Sequence, residues 1–256
     1  MMFVDTYKEP VALAIETSSR IGSVSLGVGD KIISEISFSC FMRHSAEIFP
    51  CIRNLLSGSG IKPNQIKHIY ISNGPGSFTG LRIASTIAKM LFLANHVQII
   101  TVDSLDVTAF NSLDAIKASN QDESFIKAEE TMRIASILDA KRGQFFIAGY
   151  MVKFEGKKIW LEKFWSDSLM TAADFISQFA DKQKPVWLLG DGLLYYKQQF
   201  NADGINFLQI RSRLVVRSPS RSRIAGRRAL AYRSVNRAGS RRSSSRLTLN
   251  IPTSAI

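Results

Sequence analysis

The stretch from Asn73 to Ile83 (NGPGSFTGLRI) has the composition of a loop that could bind phosphate. Its three glycines surround a proline, an apolar run precedes it, and a helical pattern follows. Ser77 or Thr79 could cap the helix that starts near Gly80, and free backbone N–H groups at such a helix start bind anions. The alternative is a tight strand-to-helix turn whose glycines allow close packing of the backbone.

Neither standard phosphate-binding motif fits this stretch. A P-loop needs Lys and then Ser or Thr after its last glycine, whereas Gly80 is followed by Leu81 and Arg82. The dinucleotide fingerprint Gly-x-Gly-x-x-Gly fails because Gly80 lies one residue too far from Gly76. The residues alone therefore leave the anion site and the packing turn open.

Glu16 and Ser77 are the other residues that could carry chemistry. Glu16 ends an apolar run and could hold magnesium, but we expect a solvated turn carboxylate. No glycine follows Glu16 until Gly22, so the backbone there is not opened for a phosphate. Ser77 has no evident His and acid partner for nucleophilic catalysis.

These residues lie within an alternation of strands and helices. Hydrophobic periodicity predicts strands at 11–15, 23–28, 31–38, 66–72 and 98–102, and helices at 44–58, 81–94 and 104–118. Pro50 should kink the first helix or mark its effective start. A second unit contains a hairpin over 133–152 turning at Lys141-Arg142-Gly143, a strand at 158–164, a helix at 172–180 and a strand at 185–189. This order predicts mixed sheets with helices packed on them.

The net charge of +12 comes from the C-terminal segment alone. Residues 211–256 hold 12 Arg and no Lys, Asp or Glu, whereas residues 1–210 hold 15 Lys and 6 Arg against 21 acidic residues. The segment is either an Arg/Ser-rich arm that binds RNA phosphates or the product of a reading-frame error. We favour the frame error because the basic residues change abruptly from mostly Lys to Arg only.

Composition also excludes some classes of protein. No run of about 18 uncharged apolar residues predicts a membrane span. The N-terminus lacks the apolar core of a secretory signal, and only two cysteines occur. We therefore expect a cytoplasmic protein with reduced thiols.

Six ordered segments resemble the TsaB (YeaZ) family. They are AIETSSRIGSVSLG at 14–27, HSAEIFPCIRNLL at 44–56, NGPGSFTGLRI at 73–83, VDSL at 102–105, LDAKRGQFF at 138–146 and GDG at 190–192. The resemblance implies an α/β protein of the actin-like/heat-shock-kinase (ASKHA) fold with two related lobes. The lobes would span 1–118 and 132–210, joined by a junction at 119–131, with the second lobe incomplete if the frame slipped before the tail at 211–256.

The resemblance also implies a function. Members of this family are non-catalytic partners of a TsaD-like enzyme, in a complex with a TsaE-like ATPase that threonylcarbamoylates the adenosine next to the anticodon of tRNA. We therefore expect no cofactor, with weak nucleotide binding between the lobes left open. We expect tRNA to be bound mainly through the complex, no membrane contact, and a possible homodimer through the helices that bind the partner.

The resemblance assigns two groups of residues. Partner binding falls to two helices, at Ser45, Phe49, Arg53, Arg82, Ser85, Thr86, Lys89 and Met90. A vestigial phosphate loop comprises Glu16, Thr17, Ser18, Gly74, Gly76, Ser77 and Gly80. No catalytic or metal-binding residue is expected, because Ile48 stands where a TsaD-like enzyme has the second His of a His-x-x-x-His pair after His44.

Two other functions remain open at this point. One is an enzyme of the same fold, either an ATPase or kinase or a metallopeptidase-like protein. The other is an RNA-binding protein that acts through the basic tail.

Overall fold

The computed structural model describes residues 9–20, 22–29, 31–38, 44–119, 131–155 and 158–208. We call residues 9–119 lobe 1 and residues 131–208 lobe 2. Lobe 1 contains β1 (Val11–Glu16), β2 (Ser23–Val28), β3 (Lys31–Ser37), α1 (His44–Ser59), β4 (Ile66–Gly74), α2 (Phe78–Asn95), β5 (Gln98–Asp103) and α3 (Ser104–Ser119). Lobe 2 contains β6 (Thr131–Lys141), β7 (Gln144–Glu155), β8 (Lys158–Thr171), α4 (Ala172–Phe179), β9 (Val186–Leu189), α5 (Leu193–Tyr196) and β10 (Ile205–Phe207).

The sheet of lobe 1 has the strand order β3-β2-β1-β4-β5. β1 pairs antiparallel with β2 and parallel with β4. All six residues of β1 are buried, which explains why its sequence is an uninterrupted apolar run before Glu16.

Lobe 2 repeats this topology. Its strands are arranged β8-β7-β6-β9-β10, so β6 to β10 occupy the places of β1 to β5. β6 is antiparallel to β7 and parallel to β9, as β1 is to β2 and β4. The duplication is carried by topology, since no repeat of fixed period is visible in the sequence.

The helix α3 lies between the two sheets. Val107 packs with Ala12, Ala14 and Tyr70 of lobe 1, whereas Leu105, Ala109, Leu113 and Ile116 pack against lobe 2. α1 and α2 cover the opposite face of the lobe 1 sheet, and α4 covers the opposite face of the lobe 2 sheet. The order of layers is therefore helices, sheet, α3, sheet, helices.

Several predicted boundaries need correction. α1 continues through Pro50 from His44 to Ser59, so the proline neither starts nor ends it. α2 begins at Phe78, with Ser77 as its N-cap, and not near Gly80. β8 extends to Thr171 because the chain continues to pair with β7 beyond an irregularity at Gly149. β10 and α5 were not predicted.

The tail at 211–256 and residues 120–130 of the predicted junction lie outside the described residues. Over the part of the chain that the structure describes, none of the helices combines the length and the apolar character needed to span a membrane.

Candidate functional site

The carboxylate of Glu16 is buried at the end of β1, so the expectation of a solvated side chain was wrong. Glu16 is 1% exposed. Its Oε1 accepts hydrogen bonds from the Ser18 backbone N–H and the Ser18 hydroxyl, each at 2.5 Å, and its Oε2 accepts one from Ser72. Burial raises the pKa of Glu16, although the hydrogen bonds from Ser18 and Ser72 act in the opposite direction. Both oxygens are thus engaged by the protein itself.

The turn after Glu16 is docked on the start of α2. The Ser77 N–H donates to the Ser18 carbonyl at 2.7 Å, and the Thr17 hydroxyl donates to the Gly80 carbonyl at 2.7 Å. A Cβ atom at Gly80 would lie 1.8 Å from the Thr17 carbonyl oxygen, and one at Gly76 would lie 2.5 Å from that of Ser18. These glycines therefore permit a backbone contact that any side chain would prevent.

The residues assigned to the vestigial phosphate loop thus lie together. Gly74 ends β4 with φ +104° and precedes a cis peptide bond to Pro75. The Ser77 hydroxyl accepts from the Gly80 N–H at 3.3 Å, which caps α2. The Ser77 N–H, which could have bound an anion, donates instead to the turn after β1. This geometry favours the packing turn over the anion site.

Arg20, at the end of the same turn, crosses to lobe 2. Its guanidinium bonds Asp139 at 3.1 Å and stacks on the ring of Tyr195 at 4.3 Å. Burial acts to raise the pKa of Asp139, but hydrogen bonds from Lys141 and Arg20 lower it overall. Burial raises the pKa of Asp191 nearby, whose Oδ1 is buried and has no hydrogen-bond partner among the described residues.

These contacts lie at the lobe interface, where the resemblance leaves weak nucleotide binding open. Sequence reasoning did not single out Arg20 or Asp139. The sequence did contain a clue to these two residues, because both belong to segments that carry the family resemblance, ETSSR and LDAKRG. What the sequence does not show is that two hairpin ends 119 residues apart meet across the interface.

The predicted partner-binding residues lie on the outer surfaces of α1 and α2. Phe49 is 50% exposed on α1, where Ser45 and Arg53 are also exposed. Met90 is 54% exposed on α2, and Arg82, Thr86 and Lys89 are exposed on the same helix.

Ser85 is only half-buried on α2. Its hydroxyl donates to the Arg82 carbonyl within the helix at 3.1 Å. It is thus a small residue at the side of this surface and contributes little exposed polar area.

Two exposed apolar residues of α2, Phe78 and Phe92, were missed in the sequence, whereas helical spacing already places Leu93 on the outward face. Phe78 is 66% exposed, Phe92 is 48% exposed and Leu93 is 76% exposed. Phe78, Arg82, Lys89 and Leu93 recur at helical spacing, so they share one face of the helix. Phe78 was missed because the sequence predicts a helix that starts after it, near Gly80. We call the exposed residues Phe78, Arg82, Thr86, Lys89, Met90, Phe92 and Leu93 the α2 face.

The α2 face is both apolar and positively charged. α2 carries Arg82 and Lys89 and no acidic residue. The Arg82 guanidinium lies 3.9 Å from the centre of the Phe78 ring, a cation–π contact that holds both side chains on the surface. Such a face suits a protein surface that offers apolar area and carboxylates.

The arrangement of histidines gives no support to a metal site. Among the described residues, no group of three His, Cys, Asp or Glu side chains could hold a metal ion. His68 lies in β4 with its ring 6.4 Å from Tyr70, and burial lowers the pKa of His68. His96 ends α2 in the left-handed conformation.

Comparison with known proteins finds relatives whose names agree on tRNA threonylcarbamoyladenosine. A family model described as TsaD, tRNA N6-adenosine threonylcarbamoyltransferase, matches residues 39–159. The tRNA threonylcarbamoyladenosine biosynthesis protein TsaB of Bacillus subtilis is 30% identical over 188 residues, which are 73% of this chain and 73% of the relative. The TsaB protein of Buchnera aphidicola subsp. Schizaphis graminum is 28% identical over 197 residues, 74% of this chain and 82% of the relative.

Solved structures show the same fold. YeaZ from Pseudomonas aeruginosa superposes with a TM-score of 0.56 at 18% identity, covering 78% of this chain and 84% of that chain. A second structure, of a protein with similarity to peptidase YeaZ from the same organism, has a TM-score of 0.55 at 20% identity and covers 78% of this chain and 85% of that chain. The expected fold, with two related lobes of mixed sheet and helices, is confirmed.

Proposed function

The chain belongs to the TsaB (YeaZ) family, and we propose that it serves tRNA threonylcarbamoyladenosine biosynthesis as a non-catalytic subunit that binds a TsaD-like enzyme. The α2 face carries this proposal. An apolar surface of this kind, interspersed with Arg and Lys, is typical of a site that another protein covers.

The geometry after β1 supports a binding role over a catalytic one. Glu16 is buried and accepts hydrogen bonds from Ser18 and Ser72, so its carboxylate does not face an open cleft. The start of α2 is used to dock the turn after β1, through the Ser77 N–H. These groups hold α2 in place, and α2 in turn presents the surface proposed to bind.

The charge of the chain supports contact with tRNA mainly through the assembled complex. Residues 1–210 carry equal numbers of basic and acidic residues, so this part of the chain has no net positive charge with which to bind RNA phosphates alone. Arg82 and Lys89 are instead proposed to face carboxylates of the TsaD-like subunit. A TsaE-like ATPase would join the pair so formed.

Co-elution with a TsaD-like protein tests this function. The full chain and the TsaD-like protein of the same genome would be mixed and passed through size exclusion with light scattering. We expect a one-to-one complex that Met90→Asp weakens at least about tenfold, since a carboxylate would then be buried against apolar surface. Leu169→Asp on β8, where Leu169 is 52% exposed, is the matched control and should bind like the unmodified chain.

Other outcomes would change the proposal. A homodimer that Met90→Asp disrupts, with no binding of the TsaD-like protein, would reassign the α2 face to self-association. ATP turnover by the chain alone, abolished by Gly76→Trp, would replace the partner role with an enzymatic one.

A further inference from the structure

The start of α3 is linked to lobe 2 by a cluster of ionisable side chains. Lobe 1 contributes Asp103, the last residue of β5, and Asp106 in the first turn of α3. Lobe 2 contributes Tyr150 from β7 and Lys163 and Asp167 from β8. None of these five residues belongs to the α2 face or to the turn after β1.

The members of the cluster are joined by hydrogen bonds. The Lys163 Nζ lies 2.6 Å from Asp106 Oδ1 and 2.7 Å from Asp167 Oδ1. The Tyr150 hydroxyl donates to Asp106 Oδ1 at 2.7 Å. The Asp103 Oδ1 accepts from the Leu105 N–H at 2.9 Å and so caps α3.

The side chains of Asp103 and Asp167 also approach each other across the lobe boundary, and a hydrogen bond between them raises the pKa of Asp103 and lowers the pKa of Asp167. Two carboxylates cannot bond in this way when both are ionised, because neither then has a hydrogen to donate. A hydrogen bond between them therefore requires one proton, and Asp103 is the member of the pair whose pKa is raised.

We propose that Asp103, Asp106, Tyr150, Lys163 and Asp167 form a proton-dependent latch between the two lobes. While Asp103 and Asp167 share a proton, the latch ties β8 to the start of α3. When the proton leaves, three carboxylates face the single charge of Lys163, and the direct bond between Asp103 and Asp167 becomes a repulsion.

The titration of the pair lies near neutrality. Burial, the hydrogen bond with Asp167 and the charge of Asp106 together raise the pKa of Asp103 to about 7. Burial acts to raise the pKa of Asp167, but its hydrogen bonds with Asp103 and Lys163 lower it overall. Burial acts to lower the pKa of Lys163, but the nearby carboxylates of Asp106 and Asp167 raise it overall.

The sign of the pH dependence follows from linkage. Because the pKa of Asp103 is raised above its ordinary value of 3.8, the proton on Asp103 stabilises the closed latch fully below that value. This contribution is lost as the pH rises through about 7. The latch should therefore loosen on the alkaline side of neutrality.

The latch is separate from the proposed partner-binding surface. α3 packs on one face of the lobe 1 sheet, and α1 and α2 cover the other face. The inference therefore does not depend on the proposed function.

Hydrogen exchange of the full chain tests the latch. Exchange would be measured over 104–113 of α3 and 161–169 of β8 at about pH 6 and about pH 8, and corrected for the intrinsic rate. We expect protection of both segments to fall at least about threefold at the higher pH. Asp103→Asn should abolish this fall, because Asn still caps α3 and donates to Asp167 without a titrating proton. Asp203→Asn, in an exposed ion pair with Lys182, is the control and should behave like the unmodified chain.

An equal loss of protection in the unmodified chain and in Asp103→Asn would overturn the proposal. If Asp103→Asn does not fold, the carboxyl carbon of Asp103 in the unmodified chain can be titrated by NMR. A midpoint near 7 supports the latch, and a midpoint near the ordinary value of 3.8 rejects it.

Discussion

The two lobes share one strand order but differ in the helices that connect equivalent strands. In lobe 1, the 18-residue α2 connects β4 to β5. In lobe 2, the four-residue α5 and a 3-10 turn at Lys197–Phe200 connect β9 to β10. Phe200 of this short connection is fully buried, with its ring 4.9 Å from that of Phe145.

This difference marks the place in the duplicated fold where we propose the binding surface. The short connection of lobe 2 buries Phe200 in the core, and its four-residue helix is too short to present an extended face. α2 buries Ala84, Ile87 and Ala88 against the sheet of lobe 1 and still has length to present a second, exposed face. Both lobes therefore complete a core, and the longer helix of lobe 1 also has the exposed α2 face, which we propose binds a partner.

The largest effect should come from a methyl group at Gly80. Gly80→Ala would place a Cβ 1.8 Å from the Thr17 carbonyl oxygen, so the turn after β1 must lift off α2. We expect a loss of about 3 kcal/mol in the free energy of unfolding, measured by urea denaturation, together with weaker binding of the TsaD-like protein.

Glycine-to-alanine variants in lobe 2 and in α1 serve as controls for Gly80→Ala. Gly190→Ala places a Cβ 2.2 Å from the Ile137 carbonyl oxygen, so it should destabilise lobe 2 without weakening partner binding. Gly58→Ala has open space around it and should be neutral or slightly stabilising. Equal loss of partner binding in Gly80→Ala and Gly190→Ala would contradict the division of roles between the lobes.

A smaller effect should follow from reversing the charge of the α2 face. The double variant Arg82→Glu, Lys89→Glu should weaken partner binding about tenfold at low salt, or about 1.4 kcal/mol, because it repels carboxylates proposed on the partner. The difference should shrink as salt is added, since exposed charges are screened. Titration by surface plasmon resonance at two salt concentrations measures both quantities.

Lys197→Glu is the matched variant in lobe 2, because Lys197 follows the helix that stands in the place of α2. It should leave partner binding unchanged at both salt concentrations. A salt-independent loss in the α2 variant would show that Arg82 acts through its contact with Phe78 and not through charge.

Local sequence patterns were enough to predict most elements of both lobes. The hairpin of β6 and β7 turns at the predicted residues because Lys141, Arg142 and Gly143 all adopt positive φ, which a tight turn requires. The end of β8 was missed because Ser166, Asp167 and Ser168 are poor strand formers. They pair only because β7 continues beside them.

The candidate site was harder to predict, because it depends on contacts between residues that are far apart in the chain. Glu16 was expected to be solvated because no local pattern reveals Ser72, which lies 56 residues away and bonds it. Helical spacing predicts which face of α2 points outward. The proposal that this face binds a partner protein required the resemblance to a family. Periodicity alone cannot separate a cover helix from a binding helix.

The smallest predicted effect concerns two acidic residues, Glu16 at the end of β1 and Asp139 near the end of β6. Burial raises the pKa of Glu16 above its ordinary value of 4.5, so the stability due to its proton is lost as the pH rises through its folded pKa. Asp139 has a pKa below its ordinary value of 3.8, so its contribution is present above that value and is lost as the pH falls.

Substitution by amides should therefore act in opposite directions with pH. Asp139→Asn should lower the free energy of unfolding by about 1 kcal/mol at neutral pH, since Arg20 and Lys141 are partly exposed and screened, and this deficit should shrink in acid. Glu16→Gln should gain stability relative to the unmodified chain as the pH rises above about 4.5, because Gln can still bond Ser18 and Ser72 without ionising. Urea denaturation of both variants between about pH 3 and pH 8 measures this. If the two differences changed in the same direction with pH, the two strand ends would not be opposite electrostatic environments.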